Sequence, residues 1–394
     1  MSVVAVLACS VLFSAAGRAA AEVSGPLMPA ALPDPWYAAP ADVDSHQPGD
    51  VLASRGKPPP LGVLAASVTQ LQFRSTDSAG RPIAAVATVL TPAAHQPDGP
   101  VLVWDHPTNA LGLRCAPSEA MWSPDPDVTM RETVALDPVL AMGWTVILPD
   151  HLGPRSAYGA ARLGGQITLD AARAATRFAP LAVQHSPIGL AGYSGGGMSA
   201  AFAAAMAPRY APELHLVGAA LGGVPADLGV MADALWHNAH PAFGLAAAVA
   251  FGLEREYPEA LPIDRYLSPA GHAFRDQLND ACVNQILRLG FGHSVDDFAS
   301  DFSLFFQPRT REVLADNSID AYDGAPRMPV YEWHSPIDAL LPLPQLDATM
   351  ARWRTQGTAV TQVPVAAPDH LSAAVLGLPG AIGWLSERFT QEPR

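Results

Sequence analysis

The sequence is poor in charged residues, above all in basic ones, and in cysteine. Only 15% of its 394 residues are charged, whereas 49% are hydrophobic. This excludes a largely disordered chain, because disorder requires low hydrophobicity together with high charge. Lys and Arg number 23 against 37 Asp and Glu, giving a formal charge of −14, and no basic cluster is visible. We therefore expect neither nucleic acid nor an anionic membrane as a partner.

Long hydrophobic runs are also scarce, and after the start of the chain none has the length of a membrane span. Residues 2–16 are almost wholly apolar and are followed closely by Ala19–Ala21. An apolar segment that ends in an Ala-x-Ala site is typical of a secretory signal peptide. We predict that residues 1–21 are removed by cleavage after Ala21 and that the protein is secreted. A membrane anchor and a lipid on Cys9 are the alternatives.

The chain has three cysteines. Cleavage would remove Cys9 and leave Cys115 with Cys282, an even pair that suggests one disulfide in an exported chain. Two unrelated buried thiols are the alternative. Two cysteines are too few for the four-ligand site of structural zinc, and no His-rich spacing joins them. We expect no metal and no cofactor.

The body of the chain alternates strand-like apolar runs with helical segments. The predicted strands cover residues 69–73, 83–90, 101–104, 144–148, 187–191, 215–219, 329–333 and 359–365; the predicted helices cover 166–178, 195–207, 344–356 and 381–389. This alternation favours an α/β fold with a mostly parallel sheet and helices on both faces. Ahead of it, residues 22–60 are rich in Pro, Ala and Asp and are expected to form an arm that wraps or wanders before the core.

The alternation stops between residues 226 and 326, where no clear strand is found. About 100 residues are too many for a simple connection between strands. They indicate an inserted helical cap, here called the cap segment (residues 226–326), in a core made of residues 22–225 and 327–394. Its large apolar side chains are Leu235, Trp236, Phe243, Leu245, Phe251, Leu253, Phe291, Phe298, Phe302, Phe305 and Phe306.

The strongest local signal is Gly192–Gly196 (GYSGG), a G-x-S-x-G motif between a predicted strand and a predicted helix. A serine at such a sharp turn needs very small neighbours two residues away on either side, and Gly192 and Gly196 meet that need. Its hydroxyl would lie over a helix N-terminus, which favours developing negative charge. The motif predicts Ser194 as a nucleophile. A glycine-rich turn with an ordinary N-cap serine is the alternative.

A serine nucleophile needs a base and an acid, which follow it in the order Asp/Glu, then His, in folds that use this motif. Asp338 follows the strand 329–333 and is the predicted acid. His370 follows the strand 359–365 and is the predicted base. Asp369 is the next candidate for the acid. Two other histidines near strand ends are expected to be structural or loop residues, His334 and His151.

An oxyanion hole needs two donors. One is expected to be the backbone N–H of Gly195, the residue after the nucleophile. The other should come from the loop after residues 101–104. Pro107 has no N–H, so Thr108 and Asn109 remain, either by a backbone N–H or by the Asn109 amide.

Together these residues resemble the secretory lipase family of α/β-hydrolases over nearly the whole mature chain. The segments that carry the resemblance are 34–37 (DPWY), 49–52 (GDVL) with Arg55, 115–118 (CAPS), 192–196 (GYSGG), 210–214 (YAPEL), Trp333 and His334 with Asp338 and Pro342, and His370. It implies the α/β-hydrolase fold, the triad Ser194, Asp338 and His370, and a disulfide between the cysteines at 115 and 282. It also places the second oxyanion donor at Asn109, where the type protein of the family has Asp.

The expected function is an exported serine hydrolase of carboxylic esters, a triacylglycerol lipase or carboxylesterase that works through an acyl-enzyme. The cap segment is expected to line an apolar tunnel for the acyl chain. The expected partners are a small-molecule or lipid ester and at most a transient lipid interface, with no obligate protein partner. The alternatives are a catalytically idle fold used for binding and a hydrolase of non-lipid esters. A peptidase would need a charged anchor for a peptide terminus, and none is visible.

Overall fold

The computed structural model describes residues 25–130, 135–235 and 237–391. The predicted signal peptide (residues 1–21), with Cys9 and the cleavage site after Ala21, lies outside the described residues, as does Trp236 of the cap segment.

A single sheet of nine strands organises the described residues. The strands are β1 Val51–Lys57, β2 Ala65–Thr76, β3 Pro82–Pro92, β4 Val101–Asp105, β5 Thr145–Pro149, β6 Ile188–Tyr193, β7 Leu216–Gly222, β8 Val330–His334 and β9 Val360–Pro364. Their order across the sheet is β1-β2-β3-β5-β4-β6-β7-β8-β9. The pairs from β1 to β5 are antiparallel, and those from β5 through β4 to β9 are parallel. The predicted α/β fold is confirmed.

Helices cover both faces of this sheet. They are α1 Pro117–Ala120, α2 Asp137–Ala141, α3 Ala161–Arg177, α4 Gly195–Tyr210, α5 Leu228–Leu235, α6 Phe243–Glu256, α7 Pro269–Leu278, α8 Val283–Gly290, α9 Pro308–Asp316, α10 Leu343–Thr355 and α11 His370–Gln391. Helices α3, α4 and α10 bury their apolar side chains in one core, and α2 and α11 bury theirs in a second core on the opposite face. No helix of the described ranges combines the length and the hydropathy needed to cross a membrane.

Between β7 and β8, the described residues form helices α5 to α9, short 3-10 turns and two isolated bridges. A third core lies here, where side chains of α6, α7 and α8 pack against Leu111 and Tyr158. Helices α6 and α8 approach so closely that a Cβ on Gly244 or Gly290 would collide with the backbone of the other helix.

The sheet edge and the last helix both differ from the sequence prediction. Residues 51–57, predicted as part of the arm, form strand β1, which pairs only with β2 at the edge of the sheet. Helix α11 begins at His370 and not near residue 381. Its early glycines permit close packing and do not end the helix, since a Cβ on Gly377 would collide with the indole of Trp333.

Candidate active site

Ser194 lies at the sharp turn from β6 into α4. Its backbone has φ 53° and ψ −121°, in the left-handed region that non-glycine residues rarely adopt. The turn closes because its flanking glycines lack a side chain: a Cβ on Gly192 would meet the Gly196 carbonyl, and one on Gly196 would collide with the Asp105 carbonyl. The Ser194 hydroxyl is thereby presented at the carboxyl edge of the sheet, at the N-terminus of a 16-residue helix.

Two loops at the same edge bring His370 and Asp338 to this serine. Nε2 of His370 lies 2.9 Å from Oγ of Ser194, and Nδ1 lies 2.7 Å from Oδ2 of Asp338. The other carboxylate oxygen of Asp338 accepts a hydrogen bond of 2.9 Å from the N–H of Leu340. His370 and Asp338 are buried and Ser194 is partly buried, so the imidazole is held between the hydroxyl and the carboxylate with little exposure to bulk water. The three side chains predicted from their order along the chain thus form one hydrogen-bonded chain.

The alternative residues have other partners. Asp369 is exposed and caps the first turn of α11, accepting from the N–H and hydroxyl of Ser372 at 2.7 and 3.0 Å. Those bonds hold the pKa of Asp369 below its ordinary value. His334 lies 3.0 Å from both oxygens of Glu332 on the same strand. The structure therefore brings Asp338, and not Asp369, to the His370 ring.

The loop after β4 lies beside Gly195. A Cβ on Gly195 would collide with the Oδ1 atom of Asn109, so the amide of Asn109 lies directly beside it. The backbone N–H groups of Thr108 and Asn109 already donate within their own loop, at 2.6 Å to His106 and 3.0 Å to Pro107. Of the groups predicted as the second oxyanion donor, the Asn109 side chain is therefore the one that is not engaged within the loop. Its Oδ1 is buried and has no hydrogen-bond partner among the described residues.

Three buried titratable groups lie in or near this loop, Asp105, His106 and His151. The Asp105 carboxylate is fully buried and accepts from the hydroxyl of Thr168 at about 2.9 Å. Burial raises the pKa of Asp105 well above its ordinary value. Burial lowers the pKa of His106 to about 4, and burial together with the charge of His106 lowers that of His151 to about 3. Both histidines are therefore neutral where the nucleophile turn packs on β4.

Two tyrosines at the site were not singled out by the sequence. The ring of Tyr193 lies 5.0 Å from that of His370, and its hydroxyl donates to the His370 carbonyl. Burial raises the pKa of Tyr193, which keeps this donor protonated. Tyr158 lies against Gly195, beside Asn109. Tyr193 is the variable residue of the GYSGG motif, whereas nothing in the sequence around Tyr158 marks it.

An apolar cavity of about 330 Å³ opens from Ser194 and His370 into the cap segment. Eight of the apolar side chains singled out in the sequence line it: Leu235, Phe243, Leu245, Phe251, Leu253, Phe298, Phe302 and Phe305. Phe291 and Phe306 do not, and they are 67% and 65% exposed. Two leucines that follow Asp338 also line the cavity, Leu340 and Leu341.

Cys115 and Cys282 are joined in the predicted disulfide. Cys115 lies just beyond the loop of Asn109, and Cys282 precedes α8, so the bond links the core to the cap segment. Among the residues that the structure describes, no group of three or more His, Cys, Asp or Glu side chains is arranged to hold a metal ion.

Comparison with known proteins places these features in context. The family model of the secretory lipases matches residues 127–394. The chain is 32% identical to a probable inactive lipase of Mycobacterium tuberculosis, over 93% of this chain and 84% of that protein. It is 31% identical to lipase A of Arthroderma benhamiae, over 90% and 79%. The solved structure of Candida antarctica lipase A in its closed state superposes with a TM-score of 0.83 at 26% identity, over 93% of this chain and 89% of that one.

Proposed function

Because this chain belongs to the secretory lipase family, we propose that it is an exported serine hydrolase of carboxylic esters, with acylglycerols as its substrate class. The observation that carries the proposal is the hydrogen-bonded chain Asp338–His370–Ser194, which opens directly into an apolar cavity. A polar catalytic chain beside an apolar pocket suits a substrate with one reactive carbonyl and a long hydrocarbon tail.

In the proposed mechanism, Ser194 attacks the ester carbonyl while Nε2 of His370 takes the hydroxyl proton. Asp338 keeps the ring oriented through Nδ1 and stabilises the imidazolium that forms. His370 then protonates the leaving alcohol, and an acyl-enzyme remains on Ser194. A water molecule that gives its proton to His370 attacks the acyl-enzyme, which releases the carboxylic acid and restores the serine.

The negative charge that develops on the carbonyl oxygen requires donors already in place. We assign the backbone N–H of Gly195 as one donor, because the first residue of a helix has no acceptor within that helix. We assign Nδ2 of Asn109 as the other. A half-turn of the amide exchanges Oδ1 and Nδ2, and the amide lies directly beside Gly195. An amide donates at any pH, so an Asn here can serve as the donor in place of an Asp.

The cap segment (residues 226–326) is proposed to bind the acyl chain. Eight of its large apolar side chains line the cavity that begins at Ser194. Each methylene that moves from water into such a cavity contributes about 0.8 kcal/mol. This favours fatty esters over small polar ones.

Export is proposed through residues 1–21 as a cleaved signal peptide. The disulfide between Cys115 and Cys282 supports an oxidising destination, because such bonds persist mainly outside the cytosol.

Covalent labelling tests the proposal. A fluorophosphonate probe is expected to modify the purified protein at Ser194, and Ser194→Ala is expected to abolish both the labelling and the hydrolysis of p-nitrophenyl esters. The alternative is a catalytically idle fold, which the name of the mycobacterial relative raises for this chain. Such a fold would give neither labelling nor hydrolysis. Esters of graded chain length then separate a lipid-ester hydrolase, whose rate rises with chain length, from a hydrolase of small esters.

A further inference from the structure

Arg255, near the end of α6 in the cap segment, is 2% exposed and surrounded by oxygen atoms. Its Nη1 donates to the carbonyls of Leu111, Arg155 and Ser156 at 2.6, 3.0 and 3.1 Å. Its Nη2 donates to the backbone and side-chain oxygens of Asn279 at 2.7 and 2.8 Å, and Nε donates to Leu27 at 2.9 Å.

The partners of this guanidinium within the described residues are all uncharged oxygens. The neighbouring acids on α6 are engaged elsewhere: Glu254 accepts from the N–H of Asp264, and Glu256 pairs with Arg155. Burial lowers the pKa of Arg255 to about 10, so it remains a cation at neutral pH. A buried cation held by main-chain carbonyls is a costly arrangement that only a close fit of all its partners stabilises.

The three carbonyls bound by Nη1 belong to two segments of the core. Each segment brings one side chain beside Gly195, Asn109 from the first and Tyr158 from the second. Leu111 lies two residues beyond Asn109, and Ser156 lies two residues before Tyr158. Helix α6 also touches the second segment directly, since a Cβ on Gly252 would collide with the backbone of Tyr158. One side chain of the cap segment therefore binds both core segments that contact Gly195.

We propose that Arg255 is a positioning residue, through which the cap segment sets the place of Asn109 and Tyr158 around the oxyanion. The proposal rests on the proposed function. Arginine is needed because its planar fork reaches several carbonyls at once, whereas lysine offers one compact ammonium. The disulfide and the bond of 3.0 Å from the N–H of Leu111 to Ala281 hold the same junction independently. We therefore expect Arg255 variants to fold with the loop attached but displaced.

The test compares Arg255→Met and Arg255→Lys with Arg275→Met. Arg275 lies on α7 of the same cap segment, is 7% exposed and pairs with Asp264 at 2.8 Å. Arg275→Met is therefore the matched control, because it removes a buried arginine of the cap segment that does not bind the core segments beside Gly195. Each variant is assayed for kcat and KM on p-nitrophenyl butyrate and for inhibition by an alkyl boronic acid, whose adduct with Ser194 places an oxygen in the oxyanion hole. Circular dichroism reports folding at the assay temperature.

Arg255→Met is expected to lower kcat and weaken boronate binding by about 100-fold each, as the loss of one oxyanion donor does, with KM little changed. Arg255→Lys is expected to fall between Met and wild type, and Arg275→Met to stay near wild type in both readouts even if its melting temperature falls. Should Arg255→Met or, if that variant does not fold, Arg255→Lys keep wild-type kcat and boronate affinity, Arg255 only stabilises the fold. A wild-type protein that neither labels nor hydrolyses esters would instead overturn the proposed function, and this inference with it.

Discussion

The core and the cap segment contribute opposite kinds of side chain to one cavity. From the core come the polar groups Ser194, Asp338 and His370, each at the carboxyl end of a strand. From the cap segment comes an almost wholly apolar wall. Under the proposed function, this division predicts that the rate of bond cleavage and the choice of acyl chain are set by separate parts of the chain. The disulfide and Arg255 are two of the places where the two parts meet.

The largest effect is expected in the core. Ser194→Ala or His370→Ala should lower ester hydrolysis by about 10⁴-fold or more for every chain length, because the three residues act as a unit. Asp338→Asn should cost about tenfold less, since the base remains but its orientation and its cation lose support. Rates with butyrate and with long-chain esters, measured on folded variants, check this.

How the rate losses of these variants compare is as informative as how large each loss is. A near-full rate in Asp338→Asn would move the acid elsewhere, with Asp369 as the next residue to replace. A loss confined to long esters in Ser194→Ala would contradict the separation of chemistry from chain selection.

The next effect concerns the link between the two parts. Removing the disulfide by Cys115→Ser with Cys282→Ser should lower the free energy of unfolding by at most about 5 kcal/mol, because the bond closes a loop of 167 residues. Urea unfolding with and without reductant measures the loss, and the double variant should be insensitive to reductant. Intact-mass analysis after alkylation should find no free thiol in the native exported protein. Two alkylated cysteines there would contradict the bond.

Much of the core could be predicted because strands β3 to β7 are apolar runs buried on both faces. Strands β2 to β9 were predicted within a few residues of their positions. The edge strand β1 was not, because only one side of it is paired and its sequence, VLASRGK, mixes polar and small residues. The full length of α11 was also missed. Its glycines and proline suggest a loop, and only the packing of Gly377 on Trp333 shows why they are tolerated.

The residues of the site also divide into those that the sequence predicts and those that only tertiary packing reveals. The meeting of Ser194, Asp338 and His370 could be predicted, because parallel strands deliver their carboxyl ends to one edge of the sheet. The contacts of Tyr158 and Arg255 could not. Arg255 lies in the sequence LERE, which is typical of a solvated helix face, and only tertiary packing turns it toward the carbonyls of distant loops.

A smaller and more selective effect is expected in the cap segment. Phe243→Trp and Phe302→Trp add bulk to the cavity wall, so long acyl chains should lose contacts worth about fourfold in rate per excluded methylene. Turnover of short esters should survive. Phe306→Trp is the matched control, because Phe306 is 65% exposed and lies outside the cavity. An unchanged chain-length profile in both folded cavity variants would assign these side chains to packing and return chain selection to the core.

The smallest effect separates the two parts by pH. His151 is buried in the core with a pKa of about 3, whereas an unfolded histidine takes up its proton near 6.5. The unfolded state therefore binds the proton first, and the stability due to neutral His151 is lost as pH falls from about 6.5 towards 3. His151→Gln should flatten this decline, measured as the urea midpoint at pH 7 and pH 4.5. His272→Gln, at a cap-segment ring that is 42% exposed, is the control for the substitution itself. A decline in His151→Gln as steep as in the wild type would mean that native His151 already carries its proton, paired with the Asp105 carboxylate 4.0 Å away.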